Sequence, residues 1–211
     1  MKAGSRQAIL DRVREATRAE ANRYDEIPRE YIRRGPLDAV SRMRLMTQRL
    51  EEYGAGVAEC VPADLNQTIA RELQQSGRRL FVAPPALPKE WLWSGVTWRT
   101  DDDLSYPEIE ECDGVLTAAS AGVAESGTIV LHHGPIEGRR VISLLPDFHL
   151  GVLFASQVVE TLPEYFSRVS EPPRLATYIS GPSATADIEM TRIKGVHGPR
   201  YLSVILVRND L

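Results

Sequence analysis

Residues 56–83 read GVAECVPADLNQTIARELQQSGRRLFVA, and the order of elements in this stretch decides the fold class. Gly56–Val61 is a short run of strand character, and Pro62 opens a helix. Leu65, Ile69 and Leu73 then recur every four residues, which places them on one helix face, and Gly77 ends that helix. Arg79–Ala83 is a second strand, running into Pro84-Pro85. Just upstream, Leu37–Tyr53 carries an apolar stripe of Val40, Met43, Leu45, Met46 and Leu50, stopped by Gly54. Helix, strand, helix, strand is the order of an α/β domain with a partly parallel sheet.

Outward from this core, residues 5–22 predict an amphipathic helix with Ile9, Leu10 and Val13 on a narrow face and Ser5 as N-cap. Tyr24–Pro36, with Pro28, Gly35 and Pro36, reads as a linker. The expected organisation is therefore a helical extension over 1–36 and one α/β domain over 37–211. Further strands are expected at Gly114–Ala119, Gly127–His132, Arg140–Leu145, His149–Phe154, Thr177–Ser180 and Arg200–Val207. Val158–Val169 reads as a helix whose start Pro163 marks. Trp91, Trp93 and Trp98 read as core packing rather than a base-stacking platform, and Asp101–Asp103 as a solvated turn.

The 211 residues are 43% hydrophobic and 26% charged, as expected of an ordered globular chain. A net charge of −4 argues against a general nucleic-acid binder without excluding a local anion site. Cys60 and Cys112 stand apart, so two thiols cannot hold a four-cysteine iron–sulfur cluster within one chain. The charged N-terminal stretch lacks the apolar core of a signal peptide, and no run is long enough to span a membrane. A cytoplasmic protein without an intrinsic cofactor or metal is expected.

Four segments carry chemistry. In SGPSATADIE (180–189) a strand ends in a Gly-Pro turn and a short helix-compatible segment follows. Free backbone N–H groups there, with the Ser183 and Thr185 hydroxyls, suit an anion, whereas Asp187 and Glu189 oppose one. A plain capped turn is the alternative. Glu125 stands among small residues before an apolar strand, where a carboxylate is either a partly buried acid, base or nucleophile or a cap for loop N–H groups. His132 and His133 are adjacent on an expected strand and would face opposite sides, while His149 and His197 are isolated. His197 lies in a turn, GVHGP (195–199). Arg139-Arg140 puts one guanidinium on each face of the expected strand, one of them suited to a carboxylate or phosphate.

The strings AESGTIVL (124–131), RRVISLLPDFHLGVL (139–153), YISGPSATADIEM (178–190) and GVHGPRYLSVILV (195–207) resemble the lactate-utilization (LUD-domain) family. The resemblance implies a three-layer fold of the ribose-5-phosphate isomerase, glucosamine-phosphate deaminase and CoA-transferase group (NagB/RpiA/CoA transferase-like), with a mostly parallel sheet and an N-terminal helical extension. It also implies a bacterial three-protein system that oxidises L-lactate to pyruvate, with the iron–sulfur clusters on the partner proteins. A chain without cluster cysteines fits the cluster-free component, an accessory or small-anion-binding subunit. The alternative is an independent enzyme acting on a phosphorylated, CoA-linked or carboxylate substrate with Glu125 as its catalytic carboxylate; a pure assembly scaffold is a third reading. Expected ligand-binding residues are Ser126, Thr128, Arg140, Ser180, Gly181, Ser183, Thr185, Asp187 and His197, gathered with Glu125 in one cleft at the carboxyl ends of neighbouring strands. Two positions depart from the family pattern: Ala184 stands where an arginine is usual, and Ser126 where a threonine is usual.

Overall fold

A computed structural model describes residues 3–17, 26–28, 30–186, 192–194 and 198–208, with only the backbone described for 3–4, 185–186 and 192–194. The chain divides into two compact units, residues 1–32 and 33–211. The first contains helix α1 (Ala3–Thr17), laced along its surface by the Gln7 amide donating to Asp11 at 2.9 Å. Ser5 lies inside this helix rather than at its cap, and residues 18–22 of the expected helix fall outside the described residues.

The second unit is built on a six-stranded sheet in which every neighbouring pair is parallel. In chain order its strands are β1 (Gly56–Cys60), β2 (Leu80–Ala83), β3 (Thr97–Thr100), β4 (Gly114–Ala118), β7 (Phe148–Phe154) and β12 (Tyr201–Val207), and in space they run β1-β12-β7-β4-β2-β3. A smaller four-stranded sheet joins β5 (Ala121–Val123), β6 (Thr128–Leu131), β8 (Val158–Val159) and β9 (Thr177–Ile179) in the order β8-β5-β6-β9. A hairpin pairs β10 (Ala184–Ala186) with β11 (Arg192–Lys194).

Alternation along the parallel strands sorts two cores. On one face α3 (Leu65–Ser76) buries Leu65, Ile69 and Leu73 against Phe81, Leu116, Leu150 and Ile205, and the three tryptophans complete that layer. On the other face α2 (Ala39–Glu52) buries Met43, Met46 and Leu50 against Leu153, Val204 and Leu206, together with Ile129 and Leu131 of the small sheet. Helix, sheet, and helix plus small sheet make three layers. Asp38 caps α2, its side chain accepting from the Ser41 N–H at 2.7 Å.

Several local expectations are corrected. Residues 140–145 do not form a strand: Arg140–Ser143 is a 3₁₀ turn that drops Ile142 into a pocket of Val82, Ile109, Cys112 and Val115. A short apolar run between Gly138 and Pro146 serves a buried turn as well as a strand. Val158–Val159 pairs with β5, and the helix, which follows the short α4 (Tyr106–Glu110) in chain order, is the shorter α5 (Leu162–Arg168), capped by Thr161 with Pro163 in its first turn. After Ser183 the chain enters β10 rather than a helix, so no helix N-terminus forms there. Asp101 is buried and ion-paired with Arg139, not solvated. Strand β6 ends at Leu131, and His133 lies beyond it at φ +57°.

Candidate functional site

The small sheet gathers three of the predicted residues, Ser126, Thr128 and Ser180, at one end. Strand β6 is antiparallel to both of its neighbours, so the chain leaves β5 and β9 at the end where it enters β6. Thr128 pairs with Val123, and Ile129 with Ile179, which brings Ser180 beside Thr128. Three hydroxyls line up as a result. Ser126 Oγ lies 2.7 Å from Thr128 Oγ1, which lies 2.7 Å from Ser180 Oγ. Two glycines make the arrangement fit. Gly127 (φ +57°) ends the Ala124–Ser126 turn where an added Cβ would lie 2.8 Å from the Arg49 backbone carbon, and Gly181 (φ +89°) rests on Tyr53.

Ser180 opens onto a cavity of about 280 Å³. Its walls are the Ser180–Ser183 turn, Ser143 and Leu144, and the amino ends of β7 and β12 with His149 and Leu202. The cavity thus adjoins the large sheet at its amino ends, not at the carboxyl ends where open α/β sheets usually bind. The Ser183 N–H already donates to the Pro199 carbonyl at 2.8 Å. No charged side chain lines the cavity among the described residues.

His149 is the residue that sequence reasoning passed over. It is 1% exposed, on the face of β7 turned toward the small sheet, and its Nε2 lies 2.8 Å from Thr117 Oγ1. Its Nδ1 is buried without a hydrogen-bond partner among the described residues. Burial pushes its pKa down to about 4, so the ring at neutral pH is an uncharged imidazole, one nitrogen held and the other unused. The available signal was a histidine set one residue into an apolar strand.

The remaining predicted residues fall as follows. Glu125 is exposed and does not line this cavity; it borders a second recess of about 250 Å³ with Arg49, Glu52, Tyr53 and Ser126. Its backbone N–H donates to the Glu160 carbonyl at 3.0 Å. Arg140 is exposed and does not line the cavity, although Ser143 of the same turn does. The guanidinium of Arg139 is committed to Asp101 and to the Leu104 carbonyl. Thr185 belongs to β10, where its side chain lies outside the described residues, as do Asp187 and His197 altogether. His132 and His133 are absorbed locally: His132 Nε2 lies 2.8 Å from the Tyr165 hydroxyl, and His133 Nδ1 donates to the Gly138 carbonyl. Among the described residues no cluster of His, Cys, Asp or Glu could hold a metal ion, and no helix is long and apolar enough to cross a membrane.

A family model described as the LUD domain matches residues 7–207. A Deinococcus radiodurans protein named lactate utilization protein C is 36% identical over 205 residues, which cover 95% of this chain and 96% of that protein. A protein of the same name from Exiguobacterium sp. is 30% identical over 210 residues, covering 88% and 86%. A crystal structure of a DUF162 family protein from Deinococcus radiodurans superposes with a TM-score of 0.70 at 33% identity, covering 82% of this chain and 99% of that one.

Proposed function

The chain belongs to the LUD-domain family, and from that premise we propose that it is the cluster-free component of a cytoplasmic system oxidising L-lactate to pyruvate. The observation that carries this reading is the nearly end-to-end match to a lactate utilization protein C, 36% identical over 95% of the chain. Iron–sulfur proteins are its partners in the proposal. They bring the electron-accepting clusters that two separated cysteines cannot hold.

The chain's own part is to hold a small anion in the Ser180 cavity. The Ser180 and Ser183 hydroxyls supply directional hydrogen bonds without a fixed positive charge, while the Ser143 hydroxyl already donates to the Arg140 carbonyl and the His149 ring is a buried, uncharged wall. Such a site favours a small carboxylate by shape and hydrogen bonding rather than by net charge. An independent enzyme centred on Glu125 has less support, because that carboxylate is exposed and borders a different recess.

The test is genetic and biochemical together. Deleting the gene in its host should abolish growth on L-lactate and spare growth on pyruvate, and the tagged wild-type protein should restore growth and co-purify with iron-containing partners. A Ser180→Ala chain, folded normally, should restore growth poorly. Unimpaired growth of the deletion strain on L-lactate would overturn the assignment.

A further inference from the structure

Away from the serine-lined cavity, beside the carboxyl ends of β7 and β12, lies a recess of about 230 Å³. Three arginines from three elements border it: Arg42 in the first turn of α2, Arg168 at the end of α5 and Arg208 directly after β12. Between them the surface is mainly Val40, Met43 and Ala155. No carboxylate lines it among the described residues.

Two of the arginines are anchored outside the recess. Arg168 donates to Glu164 at 2.7 Å, and Arg208 pairs with Glu59. Arg42 is different. Its Nε is buried and donates to nothing among the described residues, and it forms no ion pair there. That buried atom is out of a ligand's reach, but Arg42 itself borders the recess and, unlike Arg168 and Arg208, has no carboxylate within ion-pair distance among the described residues. Glu164, held by Arg168, also feels the charge of Arg42, and three guanidiniums against the two carboxylates Glu164 and Glu59 leave one positive charge over. The recess is smaller than the roughly 300–1,000 Å³ of drug-sized sites, so its occupant is small. Its position outside the carboxyl ends of parallel strands is where α/β sheets ordinarily take ligands.

We propose that this recess binds a short-chain monocarboxylate, its head on Arg42 and its hydrocarbon body against Val40, Met43 and Ala155. A singly charged head matches the one surplus positive charge of the three arginines, and the apolar floor disfavours a bare, strongly hydrated anion. The inference stands apart from the lactate reading, since it involves no residue of the Ser180 cavity.

The test titrates the full chain at about pH 7.5, where carboxylates are ionised, with hexanoate, hexan-1-ol and inorganic phosphate, read by calorimetry and by the NMR shift of the Met43 methyl. Hexanoate should bind saturably and move that methyl, with hexan-1-ol and phosphate each about tenfold weaker or more. Arg42→Ala should weaken hexanoate by about tenfold, and Arg208→Gln by a smaller factor. The Met43 methyl lines this recess and not the Ser180 cavity, so its shift separates the two sites. Three outcomes would overturn the proposal: no saturable hexanoate binding to the wild type, equal affinity for hexan-1-ol or phosphate, or undiminished hexanoate binding in both folded arginine variants.

Discussion

Acidifying the protein from about pH 7.5 to about pH 5 should destabilise it through one imidazole. His149 is 1% exposed and its pKa is pushed down by burial from the ordinary 6.5 to about 4. A second ring proton would place a charge where Nε2 is engaged by Thr117 and Nδ1 has no acceptor among the described residues. The unfolded chain therefore binds this proton more readily than the folded one. The stability tied to the neutral ring is fully present above about pH 6.5, declines as pH falls toward 4, and is fully lost below that. A gap of about 2.5 between the two pKa values corresponds to on the order of 3 kcal/mol, of which about 2 kcal/mol should be gone at pH 5. Urea unfolding of wild type and His149→Gln at both pH values measures it. The glutamine keeps a polar group toward Thr117 but does not titrate, so its loss over the interval should be smaller by about 2 kcal/mol. Asp113, Asp147 and Glu164, all held below the ordinary carboxylate values, remain ionised at pH 5 in both chains and cancel from the difference. Equal losses in wild type and variant would refute the reasoning, as would an NMR titration placing the His149 ring near its ordinary value.

Two further predictions concern stability. Gly127→Ala and Gly77→Ala both put a side chain at positive φ, but a Cβ at Gly77 meets nothing within 4 Å whereas one at Gly127 meets the Arg49 backbone. In urea unfolding the first should therefore cost about 1–3 kcal/mol more than the second, and equal costs would mean that the α2 contact at this turn yields freely. Arg139→Ala should cost about 2 kcal/mol by stranding the Asp101 carboxylate, whose side chain is 1% exposed; this is less than the roughly 3–5 kcal/mol of a wholly buried pair because Arg139 is 41% exposed. A double-mutant cycle with Asp101→Ala checks it, since the double variant should lose clearly less than the summed single losses.

Elements whose evidence is local were legible. Helices α2 and α3 and strands β1, β2, β4 and β12 lie within about three residues of their sequence limits, because caps, glycine stops and apolar periodicity sit inside each element. Strands β5, β8 and β10, of two or three residues each, were not, since so short a strand has no period and exists only through its partner. The site divides along the same line. Ser126, Thr128 and Ser180 were each marked as polar residues at strand ends, but their chain of hydroxyls depends on the pairing of β6 with β9, fifty-two residues apart at the Thr128–Ser180 link. The interest of His149 arises from a register that places β7 beside β4 and from the small sheet that covers both, neither of which is written in its own neighbourhood.

Strand β1 has a single partner in the large sheet, β12, roughly 150 residues further along the chain, and topologies rich in such distant pairings fold slowly. During synthesis at about 5–20 residues per second, β1 would wait roughly 7 to 30 seconds for the segment that completes it. Throughout that interval its hydrogen-bonding edge and the apolar face of α2 lack their final neighbours. An interrupted translation product ending before Tyr201 would carry an open seam one strand in from the edge of its sheet, with β1 and β7 both exposing unpaired hydrogen-bonding groups.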